Sequence, residues 1–360
     1  MAEGIGVGVV GFGLAGRVFH APLVNAVEGF RLTGIVARSN AADARALYPN
    51  ARVVSSLGEL LEDKRVRVVV VASPNATHAN FATEALEADR DVVIDKPFAT
   101  SSVEAEKLIA LAEERKRVLT VFHNRRWDGD YLTARSLIEG GALDRVVLFE
   151  SHFDRYAPKL NRAKPWKEAA DRSGGLLWDL GPHLVDQALQ LFGIPQRVYA
   201  DVRSERTGSV TDDAFDILFQ YDRGKGGVRV LLRSSMLAAE PGPRFVVRGE
   251  AGTFTKFGLD PQEAALRGGA SPVGDDWGRE QEEHWGTLTQ VSESSEIIRK
   301  VPTLPGDYRE FYRNLREVLL GREQLTVTPA QALTVMRLLE LARESSARGE
   351  SLAPAAEWDA

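Results

Sequence analysis

Apolar positions along the chain change their rhythm about a third of the way through. From Ile5 to Phe122, short apolar runs alternate with stretches of helical period, which predicts successive βαβ units. Strands are expected at Ile5–Val10, Phe30–Ala37, Val66–Ala72, Asp91–Ile94 and Val118–Phe122. Helices are expected at Val18–Val27, Ala41–Leu47, Leu57–Leu61 (entered from Val53 and Val54), His78–Ala88 and Ser102–Arg115. Val66–Ala72 holds five valines in seven residues and reads as a strand buried on both faces. Right-handed crossovers make this a doubly wound parallel sheet.

Beyond His123 the pattern becomes strand-rich. A helix at Tyr131–Glu139 precedes strands at Val146–Phe153, Val198–Ser204, Ala214–Tyr221, Val228–Ser235 and Phe245–Gly249. Strands in such a series usually form an open, largely antiparallel sheet. One helix, Pro182–Phe192, interrupts them and is stopped by Gly193 and Pro195. Pro182 either starts that helix or kinks it. Helical patterns return at Tyr308–Leu320 and Ala330–Ala347, and the tail Ser351–Ala360 is expected to fray. The fold class is therefore α/β: a Rossmann domain over residues 1–123 and an α/β domain over residues 124–360.

A chain of 360 residues suits two domains, and 44% hydrophobic with 27% charged residues is ordinary for globular proteins. A net charge of −6 argues against a nucleic-acid partner. With no cysteine there is no disulfide, thiolate nucleophile or Cys-ligated zinc, and no H-E-x-x-H or Asp/His cluster points to another metal. No apolar run approaches the ~20 residues that span a bilayer. The N-terminus lacks a basic stretch followed by an apolar region, so no signal peptide is read and a cytoplasmic protein is expected.

The first strand ends in Gly11-Phe12-Gly13-Leu14-Ala15-Gly16, a G-x-G-x-x-G run that opens a helix. In that context Gly11 allows a tight turn, Gly13 lets backbone N–H groups approach a pyrophosphate, and Gly16 lets helix and strand pack closely. An acid about 20 residues on would bind the ribose 2′-hydroxyl of NAD. The second strand instead ends Ala37-Arg38-Ser39-Asn40, and Asp43 comes later, inside the next helix. Arg38 can pair with a 2′-phosphate and Ser39 can donate to it, so NADP is favoured over NAD. Arg38 as a solvated surface charge stacked on adenine is the alternative.

Asp95-Lys96-Pro97 follows the strand Asp91–Ile94, at the sheet end where open α/β sheets bind ligands. Proline restrains the residue before it, so Lys96 is held in a defined direction, able to stabilise alkoxide character during hydride loss. In Gly174-Gly175-Leu176-Leu177-Trp178-Asp179-Leu180-Gly181-Pro182-His183, Asp179 and His183 are spaced i, i+4 and share a helix face. Histidine suits a general base near neutral pH. Asp179 would orient it or bind a neighbouring hydroxyl. Taken alone, each feature has a plainer reading, an exposed lysine or a capping Asp with a core His. Their joint occurrence with the glycine loop favours catalysis across an interdomain cleft.

In these motifs, their order and their spacing, the chain resembles the Gfo/Idh/MocA oxidoreductases over nearly its whole length. The resemblance implies that Lys96, Asp179 and His183 are the catalytic residues. The residue before the lysine is usually Glu in that family and is Asp95 here. Ser73, Pro74, Asn75 and His78, with Lys96, resemble positions beside the cofactor ribose and nicotinamide. The runs Gly13–Pro22, His123-Asn124-Arg125-Arg126-Trp127-Asp128, and Gly258–Glu263 before Trp277-Gly278 are most similar to NADP-dependent scyllo-inositol dehydrogenases. That likeness implies a polyol or sugar substrate, with His123, Arg125 and Trp127 lining the cleft. Tyr156 and Trp166 either close over the substrate or are structural. His20 and Arg17 either face the phosphates or cap the first helix. The open sheet must cover its outer face, and the resemblance implies that another subunit covers it, as a homodimer or homotetramer. The alternatives are an NADPH-dependent aldose or ketose reductase and a non-catalytic NADP-binding regulator.

Overall fold

A computed structural model describes residues 4–160, 174–221, 227–292 and 295–359. The chain forms two compact units, each built on one sheet. The first unit has strands β1 (Ile5–Val10), β2 (Phe30–Val36), β3 (Arg52–Val54), β4 (Val66–Val71), β5 (Asp91–Ile94) and β6 (Leu119–Val121). They lie in the order β3-β2-β1-β4-β5-β6, all neighbours parallel. The order reverses between β1 and β4, the crevice where doubly wound sheets bind ligands. The four consecutive valines of β4 are wholly buried, as a strand covered on both faces requires. Helices α1 (Ala21–Ala26), α2 (Ala41–Leu47), α3 (Leu57–Leu61), α4 (His78–Glu87) and α5 (Ser102–Arg115) fill the crossovers. Before α1 the chain makes a π-helical stretch, Ala15–His20, which extends the first helix three residues further back than its apolar period predicts.

This unit also takes in residues 262–277 and 307–333 from late in the chain. They bring α8 (Gln262–Arg267) and α9 (Arg309–Leu319), both preceding α10 (Pro329–Arg348). On α9, Phe311, Tyr312, Leu315 and Leu319 form one buried stripe. Phe311 meets Phe122 edge-on at 4.9 Å, and Tyr312 contacts Phe30 and His20. An aromatic patch beside β6 thus recruits a helix nearly two hundred residues away, which local periodicity does not reveal.

The second unit carries α6 (Gly129–Glu139), α7 (Leu176–Phe192) and strands β7 (Val146–His152), β8 (Arg197–Arg203), β9 (Ala214–Gln220), β10 (Arg229–Ser235), β11 (Phe245–Gly249), β12 (Gly252–Lys256), β13 (Gly286–Val291) and β14 (Glu296–Val301). The sheet order is β14-β13-β12-β11-β7-β10-β9-β8. Only the β7–β10 pairing is parallel, so the sheet is mixed and mostly antiparallel. The last three strands escape prediction, and for β14 the reason is physical. In β14 five of six residues are exposed, and an edge strand has no buried face to impose alternation. The expectation of a frayed tail is corrected: Leu352 exchanges backbone hydrogen bonds with Val198 at 2.8 and 2.7 Å, and Ala356–Asp359 makes a further 3₁₀ turn.

Helix α7 starts at Leu176, six residues before Pro182, and runs through the proline to Gly193. Its start is built by Gly175 and Asp212. Gly175 has φ +94°, and a Cβ there would lie 2.2 Å from Asp212 Oδ1. The close approach lets Asp212 Oδ2 accept from the Leu177 N–H at 2.7 Å, satisfying a first-turn donor. Arg343 donates to the other carboxylate oxygen at 3.3 Å.

Burial pushes the Asp212 carboxyl above its usual range, against those hydrogen bonds and the Arg343 charge. A carboxyl raised by folding contributes its stabilisation fully at low pH and loses it as pH rises through the raised value. Asp212→Asn keeps an oxygen for Leu177 but cannot ionise. The melting temperature of Asp212→Asn relative to wild type should therefore rise from acid to neutral pH. A difference that stays flat with pH refutes the linkage. Asp212→Ala should lose about 1 kcal/mol of stability, as cap removal does.

Candidate active site

The carboxyl ends of β1, β2, β4 and β5 share one end of the first sheet, because parallel strands point the same way. The glycine loop leaves β1. Gly11 has φ +101°, and a Cβ there would sit 2.6 Å from the Ala72 carbonyl oxygen. A Cβ on Gly16 would sit 2.0 Å from the Gly11 oxygen. The fold itself demands both glycines. Gly13 differs: its φ is not left-handed, and no atom lies within 4 Å of where its Cβ would be. Neither strain nor packing accounts for it, whereas a pyrophosphate brought against the backbone does. The loop residues therefore fit a dinucleotide. Phe12 is buried edge-on to Tyr48 and contributes backbone only, Leu14 is exposed, and Ala15 opens the helix.

At the end of β2, Arg38 and Ser39 are exposed. Asn40 Nδ2 donates to the Phe12 oxygen at 3.1 Å, fastening this turn to the glycine loop. Arg17 neither caps the helix nor stands free: it pairs with Asp43 at 3.0 Å on the surface.

The turns after β4 and β5 are joined from beneath. Ser73 is half-buried with its Oγ 2.7 Å from Thr77 Oγ1, Pro74 is exposed, and Asn75 begins a 3₁₀ turn. His78 is wholly buried, with Nδ1 2.8 Å from the Pro97 oxygen and Nε2 2.9 Å from the Ser73 oxygen. Its expected place on the cofactor face is corrected: both ring nitrogens are turned inward onto backbone carbonyls. Burial pushes this imidazole below its ordinary range, which keeps it neutral near pH 7. Lys96 is half-buried, and its peptide bond to Pro97 is cis. Asp95 Oδ1 lies 3.1 Å from His20 Nε2, and His20 Nδ1 lies 2.7 Å from Tyr312 Oη. His20 is wholly buried with both ring nitrogens engaged, which leaves neither for a phosphate, and it stands at the N-terminus of α1 without a side-chain capping bond. Burial acts to raise the Asp95 pKa, but the His20 hydrogen bond, with the nearby Lys96 charge, outweighs it and holds the carboxyl below its usual range. His123, immediately after β6, is buried in the same unit.

In the second unit, α7 presents Asp179 and His183 one turn apart on one face. The His183 ring is nearly parallel to Phe153, 24° between planes with centroids 6.5 Å apart. Three guanidinium groups surround the same Phe153: Arg125 at 4.7 Å, Arg155 at 5.3 Å and Arg244 at 5.6 Å from the ring centre. Arg155 also comes within 3.8 Å of Asp179 Oδ2. Arg125 is buried and donates to Asp128 at 3.1 Å, so its charge is already paired. Arg244 bonds Ser151 and Gln187 and is a core residue. Trp127, half-buried, ends a 3₁₀ turn, while Tyr156 is 61% exposed and bridges to Leu237. Trp166 lies outside the described residues. Sequence reasoning missed Arg155 and Asp212. Neither belongs to a motif, and only the strand end after β7 and the two glycines before α7 hinted at them.

Two family profiles match the chain: "Oxidoreductase family, NAD-binding Rossmann fold" over residues 5–123 and "Oxidoreductase family, C-terminal alpha/beta domain" over residues 135–353. Among curated relatives, the Escherichia coli oxidoreductase YdgJ is 39% identical over 96% of this chain and 97% of its own. The NADP(+)-linked scyllo-inositol 2-dehydrogenase IolW of Bacillus subtilis is 34% identical over 95% and 94%. Among solved structures, an oxidoreductase from Yersinia pestis superposes with a TM-score of 0.92 at 38% identity, covering 99% of each chain. From these matches, the chain belongs to the Gfo/Idh/MocA family of oxidoreductases and carries that family's NAD-binding domain.

Proposed function

We propose that the chain is a dehydrogenase that moves a hydride between NADP and a secondary hydroxyl of a polyol or sugar, scyllo-inositol going to scyllo-inosose. The observation that carries the reading is the carboxyl end of the first sheet, where room unexplained by the fold at Gly13 follows β1 and the restrained Lys96 follows β5, with only β4 between them. The inositol substrate rests on the similarity to IolW. The cofactor, held by Gly11–Ala15, Ser73–Asn75, Arg38 and Ser39, supplies the hydride acceptor. The preference for NADP is supported by exposed Arg38 and by Asp43, which is engaged with Arg17.

His183 accepts the hydroxyl proton as the C–H bond breaks and the carbonyl forms. Lys96 donates a hydrogen bond to the same oxygen and stabilises its developing negative charge. Asp179 binds a neighbouring hydroxyl or steadies His183, with Arg155 beside it. Tyr156, Trp127 and His123 complete the substrate assignment. The domain division at residues 123 and 124 follows the division of labour between cofactor and substrate. Exposed Val291, Ile297 and Ile298 on β13 and β14 support assembly of the second sheet as a homodimer or homotetramer.

The test is NADP reduction across a panel of inositols and sugars, and no turnover of any member rejects the activity. On the best substrate, His183→Ala should lower kcat by about 10²–10⁴-fold while NADPH binding, followed by fluorescence, persists. Near-wild-type turnover would remove His183 as the base. Arg38→Asp should raise the KM for NADP far more than that for NAD, and equal effects would end the 2′-phosphate assignment. Light scattering at micromolar concentration should give a multiple of the 39.5 kDa chain mass, and a monomeric mass contradicts the assembly.

A further inference from the structure

Two of the six histidines are wholly buried at one place, and neither is turned toward ligand space. His20 reaches the Asp95 carboxylate at 3.1 Å, and His78 reaches the Pro97 carbonyl oxygen at 2.8 Å. These are the two chain neighbours of Lys96. We propose that His20 and His78 are positioning residues that grip Lys96 from both sides, one through the Asp95 side chain and the other through the Pro97 backbone. The proposal rests on the reading of Lys96 as the group that polarises the substrate hydroxyl.

The physical case begins with cost. Burying an imidazole without partners is unfavourable, and four polar contacts at 2.7–3.1 Å compensate these two rings. Tyr312 adds direction. Its phenol is wholly buried and has one hydrogen to donate. The Asp95 carboxylate can only accept, so the Nε2 hydrogen is given to it. In the tautomer with its one ring hydrogen on Nε2, Nδ1 accepts from Tyr312, and the donor chain runs from Tyr312 to His20 to Asp95.

His78 performs the matching task below. It lies between the Ser73 turn and the Pro97 turn and ties the loops after β4 and β5 together. A lysine amine sits on a four-carbon stem whose ordering is entropically costly. Fixing its backbone from both sides narrows where Nζ goes. His20 also lies four residues beyond Gly16, so the helix that follows the phosphate loop supports the lysine turn.

The experiment compares His20→Phe, His20→Gln, Lys96→Ala and the His20→Phe/Lys96→Ala double variant, using NADP and the panel member turned over fastest. Phenylalanine keeps a ring against Phe122, 4.4 Å from His20, but removes both hydrogen bonds. His20→Gln returns an N–H near Nε2. Misplacement of a catalytic group by about 1 Å can cost about 10²-fold, so His20→Phe should lower kcat at least about tenfold, with the dissociation constant of NADPH changed less than about threefold. His20→Gln should recover most of that loss. The double variant should be no slower than Lys96→Ala alone, because His20 acts through the lysine. A crystal structure of His20→Phe should show the Lys96 side chain displaced.

Wild-type kcat in His20→Phe beside an inactive Lys96→Ala overturns the positioning role. So do losses that simply multiply in the double variant, the mark of general damage. If Lys96→Ala itself keeps turnover, the assignment of Lys96 fails, a result read without any histidine variant. Should His20→Phe not fold, Tyr312→Phe carries the test: a smaller kcat loss of the same kind supports the donor chain, and unchanged kcat overturns it.

Discussion

A parallel sheet covered on both faces leaves its strands no way to present chemistry except at their ends. The valines of β4 are wholly buried, and every residue of β5 and all but the first of β1 are buried with them. What the strands do instead is aim. Because β1, β2, β4 and β5 run the same way, the glycine loop, the Arg38 turn, the Ser73 turn and the Lys96 turn emerge together, although they span more than eighty residues of sequence. Everything distinctive about the first unit lies in how those turns are fastened to one another: Asn40 to Phe12, His78 to Pro97 and Ser73, His20 to Asp95. These fastenings are local hydrogen bonds and cost the core no apolar packing.

The second unit solves a different problem, that of placing a titratable histidine in a nearly dry setting. His183 lies along the face of Phe153, which is itself ringed by guanidinium groups. Two of those cations, Arg125 and Arg244, are buried and hold buried carboxylates, Asp128 and Asp130. Removing one partner of such a pair leaves an uncompensated buried charge, which is far costlier than losing a surface bridge. The third, Arg155, is about one-third exposed and stands by Asp179, so its charge is screened and its geometry more adaptable. Rigidity is therefore concentrated beneath the histidine, and adaptability beside the aspartate.

Much of the architecture was readable from periodicity. Five of the six strands of the first unit appear at the predicted places because burial on both faces leaves an apolar run, as in Val66–Val71, whereas β3, only three residues long, was not read as a strand. Strands β12 to β14 and helix α8 were not readable, since β14 has little buried surface to enforce alternation and α8 spans only six residues. The motifs named candidate residues along the chain but could not show which way a side chain turns. The family resemblance implied that His78 and Arg125 face ligands, yet both are turned into the protein, toward carbonyls and toward Asp128. Orientation depends on tertiary partners such as Pro97 and Phe153, and no spacing rule encodes these. His20 is the clearest case: its decisive partner Tyr312 lies 292 residues away.

That partner also bears on the shortened acid before the lysine. Read as sequence, Asp95 is a Glu with one methylene missing, and the natural worry concerns what the carboxylate no longer reaches. In the structure the carboxylate is directed at His20, and His20 is packed among Phe122 and Tyr312 with no exposed surface. A glutamate would carry its carboxylate about 1.5 Å farther along the same direction. A close-packed aromatic cluster cannot yield that distance without off-rotamer side chains or backbone shifts. The shorter acid and the buried histidine therefore fit as a pair, and the identity of residue 95 is set by what lies behind the lysine turn as much as by what lies in front of it.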